Sequence, residues 1–184
     1  MRTKSNWNNN IKYKFIKKHF TPRLQKDLKT ISMPVDLLEY PKVSSTYIWG
    51  KIKTGKTVRA AQYLLRKLEL DYYQNKTTNA EFLSFPIFID KIKETYNDKT
   101  KNDFEIISKY SNIDFLVIDD FMTVRPSDWL IDTVYKLINY RYEYLKTTII
   151  TCNYSLEELE GILNDQRITS RIDRMCEIEE KTSW

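Results

Sequence analysis

The chain is short of glycine, cysteine and histidine. Three glycines stand among 184 residues, where average usage would place about a dozen. No glycine-rich linker and no internal repeat is present, and low complexity is confined to "NWNNN" near the start. Two cysteines, Cys152 and Cys176, and one histidine, His19, are too few for a Cys-rich zinc ribbon and argue against any Cys/His metal site. Both cysteines sit in apolar stretches, "TTIITC" and "RMCEI", which suits buried thiols in a reducing compartment. No run of 18 apolar residues occurs, so no membrane span is expected. The N-terminal "MRTKSNWNNNIKYKFIKKHF" lacks the apolar core of a signal peptide. These absences point to a cytoplasmic protein.

Hydrophobic residues make up 41% of the chain and charged residues 30%, a balance able to bury one core in a single domain. The net charge of +5 is uneven. Arg2, Lys4, Lys12, Lys14, Lys17, Lys18, Arg23, Lys26 and Lys29 face a single acid, Asp27, within residues 1–30, leaving the rest mildly acidic. Such a basic segment fits an anionic partner, nucleic acid or an acidic protein surface; a solvated helix face is the alternative. Residues 1–43 are expected to form a basic extension with one amphipathic helix, Ile11–Phe20, interrupted by Pro22, Pro34 and Pro41.

Residues 44–184 alternate strand and helix signals. "STYIW", "AEFLSF", "IDFLVIDDF", "TTIITCN" and "CEIEE" read as strands, the third and fourth buried on both faces. Between them, "TVRAAQYLLRKLEL", "PIFIDKIKETY", "NDFEIISKY", "SDWLIDTVYKLINYRYEYL", "SLEELEGIL" and "DQRITSRIDRM" read as helices. Ser127 suits an N-cap, and Ser155 with Glu158 a capping box. The alternation predicts an α/β domain with a parallel sheet covered on both sides.

Two of the three glycines fall in Gly50-Lys51-Ile52-Lys53-Thr54-Gly55-Lys56-Thr57, which fits G-x-x-x-x-G-K-[ST] between a strand and a helix. The chemistry demands these residues. Backbone N–H groups must wrap a phosphate, a path that side chains at the glycines would obstruct, and the helix beginning near Gly55 adds its positive end. Lys56 would reach the β and γ phosphates of ATP, and the Thr57 hydroxyl would ligate Mg²⁺. The expected nucleotide-binding stretch runs from Gly50 through Val58. Lys51 and Lys53 stand where Pro or Gly is common; they either add charge near the triphosphate or face solvent. Asp119 and Asp120 end the third strand, where open parallel sheets bind ligands. Asp119 would hold Mg²⁺, directly or through water, and Asp120 would polarise the attacking water. Asn153, ending the fourth strand, suits a hydrogen bond to the γ-phosphate or the lytic water. Arg167 and Arg171 lie four apart on one helix. They fit either an arginine finger reaching a neighbouring subunit's site or a salt-bridged helix with Asp165, Asp173 and Glu177.

In order and spacing, "GKIKTGKT", "FLVIDDF", "TTIITCNYSLEEL" and "RITSRIDRMCEI" resemble the AAA+ core of DnaC/DnaI-type helicase loaders, a group that includes the IstB-type transposition ATPases. The resemblance covers about Ser45 to Glu179. It implies a P-loop AAA+ core with a five-stranded parallel sheet in the order 5-1-4-3-2, flanked by helices. Lys56 and Thr57 match Walker A, Asp119 and Asp120 Walker B, and Asn153 sensor 1. Arg171 stands at the arginine-finger position, with Arg167 close by. The order separates the strands that carry Cys152 and Cys176 by one strand, which agrees with free thiols. The resemblance also implies a ring or spiral oligomer with ATP between subunits. A helix after the second strand would contact single-stranded DNA, here with Lys91, Lys93 and Tyr96 as candidates. A sizeable N-terminal helicase-binding domain and a C-terminal helical lid are not expected within this sequence. The implied function is delivery of a DnaB-like replicative helicase onto single-stranded DNA. An IstB-type ATPase acting on duplex DNA and a nucleotide-binding adaptor without significant hydrolysis are the alternatives.

Overall fold

A computed structural model describes residues 9–30, 33, 44–97 and 102–183. Pro34 and Pro41 lie outside the described residues, as do Arg2 and Lys4. Among the described residues, two helices precede the first strand: α1 (Asn9–His19) and α2 (Pro22–Thr30). The core then runs β1 (Thr46–Trp49), α3 (Lys56–Tyr73), β2 (Ala80–Ser84), α4 (Phe85–Asn97), α5 (Asp103–Asn112) and β3 (Phe115–Phe121). It closes with α6 (Asp128–Glu143), β4 (Thr147–Cys152), α7 (Leu156–Leu163), α8 (Gln166–Met175) and β5 (Glu177–Glu180).

All five strands pair in parallel, in the order β2-β3-β4-β1-β5. This is the order implied by the resemblance, read from the other edge. Alternation along each strand divides the core into two layers. Tyr47, Leu116, Ile118, Ile150 and Cys152 face the layer formed with α4 to α8. Ile48, Phe115, Val117 and Ile149 face α3, α1 and α2. β1 therefore needs apolar side chains on both faces, as do β3 and β4, which is why these segments read as unbroken apolar runs. Cys152 and Cys176 are buried free thiols.

Sequence reasoning expected Pro22 to interrupt the N-terminal helical segment. The segment does break there, after His19, and Pro22 then opens a second helix, because proline's missing N–H costs nothing at the first helical position. Ile16 and Phe20 of the first segment and Leu24 and Leu28 of the second are buried against α3 and the sheet. Phe20 meets Phe82 of β2 edge-on, with ring centroids 5.4 Å apart. Lys14, Lys17, Lys18, Arg23, Lys26 and Lys29 stay on the exposed side. The basic segment is thus an amphipathic pair seated on the core with its charge outward.

One buried cation ties the sheet to the helices beneath it. Arg141, on α6, is 0% exposed. Its guanidinium donates to the carbonyls of Tyr110 (2.9 Å), Ser111 (3.3 Å) and Ile113 (2.7 Å) at the end of α5. It also donates to the Thr147 carbonyl (2.6 Å) and the Thr148 hydroxyl (2.9 Å) at the start of β4. Helix ends leave carbonyls without partners, and this side chain satisfies them from another element. Burial pulls its pKa down to about 9. At the opposite edge, Arg59 pairs with Glu179 at 2.9 Å and Tyr63 donates to the same carboxylate at 3.0 Å, fastening β5 to α3.

Arg141→Met removes the donors and leaves several buried carbonyls unsatisfied, each costing about 1–3 kcal/mol. Thermal unfolding should shift down by roughly 10 °C, on the scale of about 2–4 °C per kcal/mol for a chain of this size. A shift under about 2 °C would mean that water replaces the guanidinium there.

Candidate functional site

β1 delivers the chain into the phosphate loop at the carboxyl edge of the sheet. Three loop residues take positive φ: Gly50 (147°), Lys53 (68°) and Gly55 (89°). The reason for Gly50 differs from the sequence expectation. A Cβ there would lie 2.1 Å from the Lys181 carbonyl oxygen, and the Lys181 N–H donates to the Trp49 carbonyl at 2.7 Å. This glycine therefore permits close approach of the segment after β5, besides any room it leaves for a ligand. The Thr54 hydroxyl braces the loop on the Lys51 carbonyl at 2.9 Å. Lys51, Ile52 and Lys53 are exposed.

Gly55 is the N-cap of α3 and offers no side-chain hydrogen bond. By contrast, Asn102, Ser127, Ser155 and Asp165 each cap their helices with a side-chain oxygen. The α3 N-terminus thus keeps its unpaired N–H groups for an incoming acceptor. Lys56, the first residue of the helix, is 7% exposed. Its Nζ donates to the carbonyls of Gly50 (2.6 Å) and Lys51 (2.8 Å). Burial lowers its pKa, while Asp120 and Asp119 work in the opposite direction. The ammonium is poised on weak acceptors that an anionic one would outcompete.

Asp119 and Asp120 end β3 in different environments. Asp119 is buried and accepts the Thr151 hydroxyl at 2.7 Å. Burial pushes its pKa up to about 6, with Thr151, Thr57 and Lys56 pulling the other way. Asp120 is exposed and adopts left-handed backbone, φ 58°, a region that Asp enters more readily than most residues. The β3–β4 register shifts between Ile118 and Phe121, so a bulge re-aims the second acid. The Asp120 N–H donates to Thr151 Oγ1 at 2.9 Å. Sequence reasoning passed over Thr151. Its signal was a hydroxyl residue two positions before Asn153 on a buried strand.

A cavity of about 1000 Å³ opens over these groups. The residues from Ile52 to Val58 line it, together with Asp119, Asp120 and Asn153. Gly50 and Lys51 do not line it. Its far wall includes Arg23 of α2 and Ile87 and Lys91 of α4. Lys91 Nζ lies 3.5 Å from the Tyr110 hydroxyl. Lys93 is exposed on the same helix, and the Tyr96 side chain lies outside the described residues.

The α8 arginines are engaged within the chain. Arg167 pairs with Asp165 (2.7 Å) and Asp132 (3.1 Å), and these contacts hold its pKa up. Arg171 donates to Asn139 of α6, to the Tyr135 hydroxyl (3.1 Å) and to the Arg167 carbonyl (3.0 Å). Both guanidinium groups lie over the Tyr135 ring, at 4.7 and 4.8 Å. Arg167 is exposed and Arg171 half-buried. The structure thus places the arginines against α6 and not at the cavity of their own chain.

No group of three or more His, Cys, Asp or Glu able to hold a metal occurs among the described residues. The donors present suit Mg²⁺ held jointly with phosphates, since this ion commonly takes only one or two protein carboxylates and completes its shell with waters and phosphate oxygens. Thr57 and Asp119 would be those donors, and the unpaired N–H groups at Gly55 fit the phosphates. No described helix is long and apolar enough to cross a membrane.

In the metal-free protein, the raised Asp119 pKa makes folding favour the protonated acid. Between about pH 4 and 6 the folded state binds more protons than the unfolded one, so stability falls as pH rises through that window. Asp119→Asn should remove this contribution, worth up to about 3 kcal/mol. Parallel denaturant titrations at pH 4 and pH 7 check it: equal pH dependence in the two proteins would contradict the shifted acid.

Comparison with known proteins bears on the fold and the family. The solved structure of the DnaC helicase loader superposes with a TM-score of 0.63 at 24% identity, covering 97% of this chain and 99% of the other. DnaI gives 0.63 at 21% identity, covering 88% and 95%. AMPPCP-bound DnaA from Aquifex aeolicus gives 0.59 at 18% identity, covering 90% of this chain and 49% of that one. The fold is therefore that of the DnaC/DnaI-type AAA+ proteins. In sequence, the chain is 26% identical over 127 residues to the chromosomal replication initiator protein DnaA of Treponema pallidum, covering 69% of this chain and 26% of the relative. The phage-like element PBSX protein XkdC of Bacillus subtilis is 30% identical over 100 residues, covering 50% of this chain and 36% of the relative. The chain spans about a quarter of the DnaA initiators it matches. The profile of the bacterial DnaA ATPase domain matches residues 34–179, and the protein belongs to that family.

Proposed function

We propose that this protein is an ATP-dependent helicase loader that assembles on single-stranded DNA and delivers a DnaB-like replicative helicase during replication initiation. The observation that carries the nucleotide part is the gathering of Lys56, Thr57, Asp119, Asp120 and Asn153 around one cavity at an uncapped helix N-terminus. The loader part is supported by the near-complete mutual coverage with the DnaC helicase loader. The match to a phage-like element protein favours a phage or mobile-element setting.

In this reading the α3 N-terminus and the backbone from Gly50 to Val58 cradle the triphosphate. Lys56 leaves the Gly50 and Lys51 carbonyls for the β and γ phosphates, and the lysines at 51 and 53 add positive potential at the mouth. Thr57 and Asp119 hold Mg²⁺, which supplies charge neutralisation on the phosphates when bound. Asp120 orients and polarises the attacking water, and Asn153 hydrogen-bonds that water or the γ-phosphate. Arg171, with Arg167 beside it, is offered to the site of a second copy. For that, Arg171 must leave Asn139 and Tyr135, and Arg167 must leave Asp132 and Asp165. Such parking keeps the isolated subunit slow and makes hydrolysis depend on assembly. Lys91, Lys93 and Tyr96 on α4 meet the phosphates and a base face of single-stranded DNA.

Lys56→Ala should abolish binding of a fluorescent ATP analogue. Arg171→Ala should spare binding and lower assembly-dependent hydrolysis by about 10³-fold. Subunits carrying Asp120→Asn should complement Arg171→Ala subunits only if the site is shared; failure of every mixture would contradict it.

A double Lys91→Ala, Lys93→Ala variant should weaken single-stranded DNA binding and reduce the magnitude of its log–log salt slope by about 1 to 2. An unchanged slope removes α4 from the interface. Capture of the host's replicative helicase with and without ATP tests the loader function itself. No association under either condition would contradict loading. Association with undetectable hydrolysis in any assembly would instead favour a nucleotide-binding adaptor.

A further inference from the structure

The β3–β4 junction holds a buried hydroxyl that bears on both acids of the site. Thr151 is 0% exposed, and it touches both consecutive acids of the neighbouring strand. Its Oγ1 donates to Asp119 Oδ1 at 2.7 Å and accepts the Asp120 N–H at 2.9 Å. A hydroxyl has one proton and two lone pairs. The proton is committed to Asp119 and one lone pair to Asp120, so the direction of this group is defined.

The backbone explains why it is needed. The register shift between Ile118 and Phe121 takes Asp120 out of regular pairing with β4, and a backbone N–H displaced in this way must find another acceptor. Thr151 supplies it from the adjacent strand, at the residue whose φ of 58° departs from strand geometry. The same hydroxyl holds Asp119 Oδ1, and Thr57 also bears on that carboxylate. A packing role alone would be met equally well by valine, which matches threonine in shape and lacks the hydroxyl.

We propose that Thr151 is a positioning residue for the two-carboxylate site: it orients Asp119 toward Mg²⁺ and pins the left-handed turn that aims Asp120 into the cavity. The proposal rests on the Mg²⁺–ATP reading of the site. Hydrogen-bond partners behind a metal ligand commonly account for about 10- to 100-fold in metal affinity, and that is the scale expected here.

The test is a Mg²⁺ titration of fluorescent ATP-analogue binding, with thermal unfolding measured on the same samples. Thr151→Val should raise the Mg²⁺ midpoint about tenfold or more while leaving Mg²⁺-free nucleotide binding within about twofold. Thr151→Ser, which keeps the hydroxyl, should return the midpoint to within about threefold of the unmodified chain. If Thr151→Val yields no folded protein, Thr151→Cys carries the comparison, since it retains similar bulk with a weak donor. An unchanged midpoint in the valine protein, or in the cysteine protein where that is used, overturns the proposal, as does failure of serine to rescue. If the unmodified chain binds nucleotide with no response to Mg²⁺, the underlying reading of the site falls and this inference falls with it.

Discussion

An uncapped helix start beside a buried lysine organises the carboxyl edge of this molecule. Four other helices close their first turns with Asn, Ser or Asp side chains. α3 has Gly55 in that place and only its own backbone to offer. Lys56 is held between the Gly50 and Lys51 carbonyls in a largely desolvated position. Unpaired N–H groups and a largely desolvated ammonium are costly without an anion and strongly favourable with one. The parallel sheet has β1 and β4 side by side, so this positive edge comes to lie near Asn153 and, one strand further, the acids of β3. Every other feature of the site is arranged around that positive corner.

The acids show how neighbouring strands divide the work. Asp119 remains in register opposite Ser84 of β2 and is buried. Asp120, one residue later, leaves the register at the bulge and is exposed where it lines the cavity. The two carboxyl groups therefore differ in solvation despite being consecutive, which suits the metal-ligand and water-activating roles proposed for them. The exposed face of α8 is kept occupied by Asp132, Asp165, Asn139 and Tyr135 of the same chain. A partner site of the kind proposed for these arginines would have to compete with those contacts.

Much of this was legible in the sequence. The phosphate loop, the strand-end acids, the capping box at Ser155 and Glu158 and the alternation of elements all depend on local pattern, and local pattern survives in one dimension. What was missed depends on contacts distant in the chain. Pro22 can end a helix or begin one, and only the burial of Leu24 and Leu28 against α3 decides between them. Arg141 reads as one more charge on a long helix until α5 and β4 surround it. Thr151 reads as an ordinary strand residue until β3 is placed beside it. Gly50 was legible as a loop glycine, but its contact with Lys181 requires β5 to lie next to β1.

The most direct measurement is a crystal structure of the protein with Mg²⁺ and a non-hydrolysable ATP analogue. The account requires phosphate oxygens at the amino end of α3, with the Lys56 ammonium moved off the Gly50 and Lys51 carbonyls and onto them. Density for the analogue elsewhere on the molecule, with Lys56 still seated on its own loop, would contradict it.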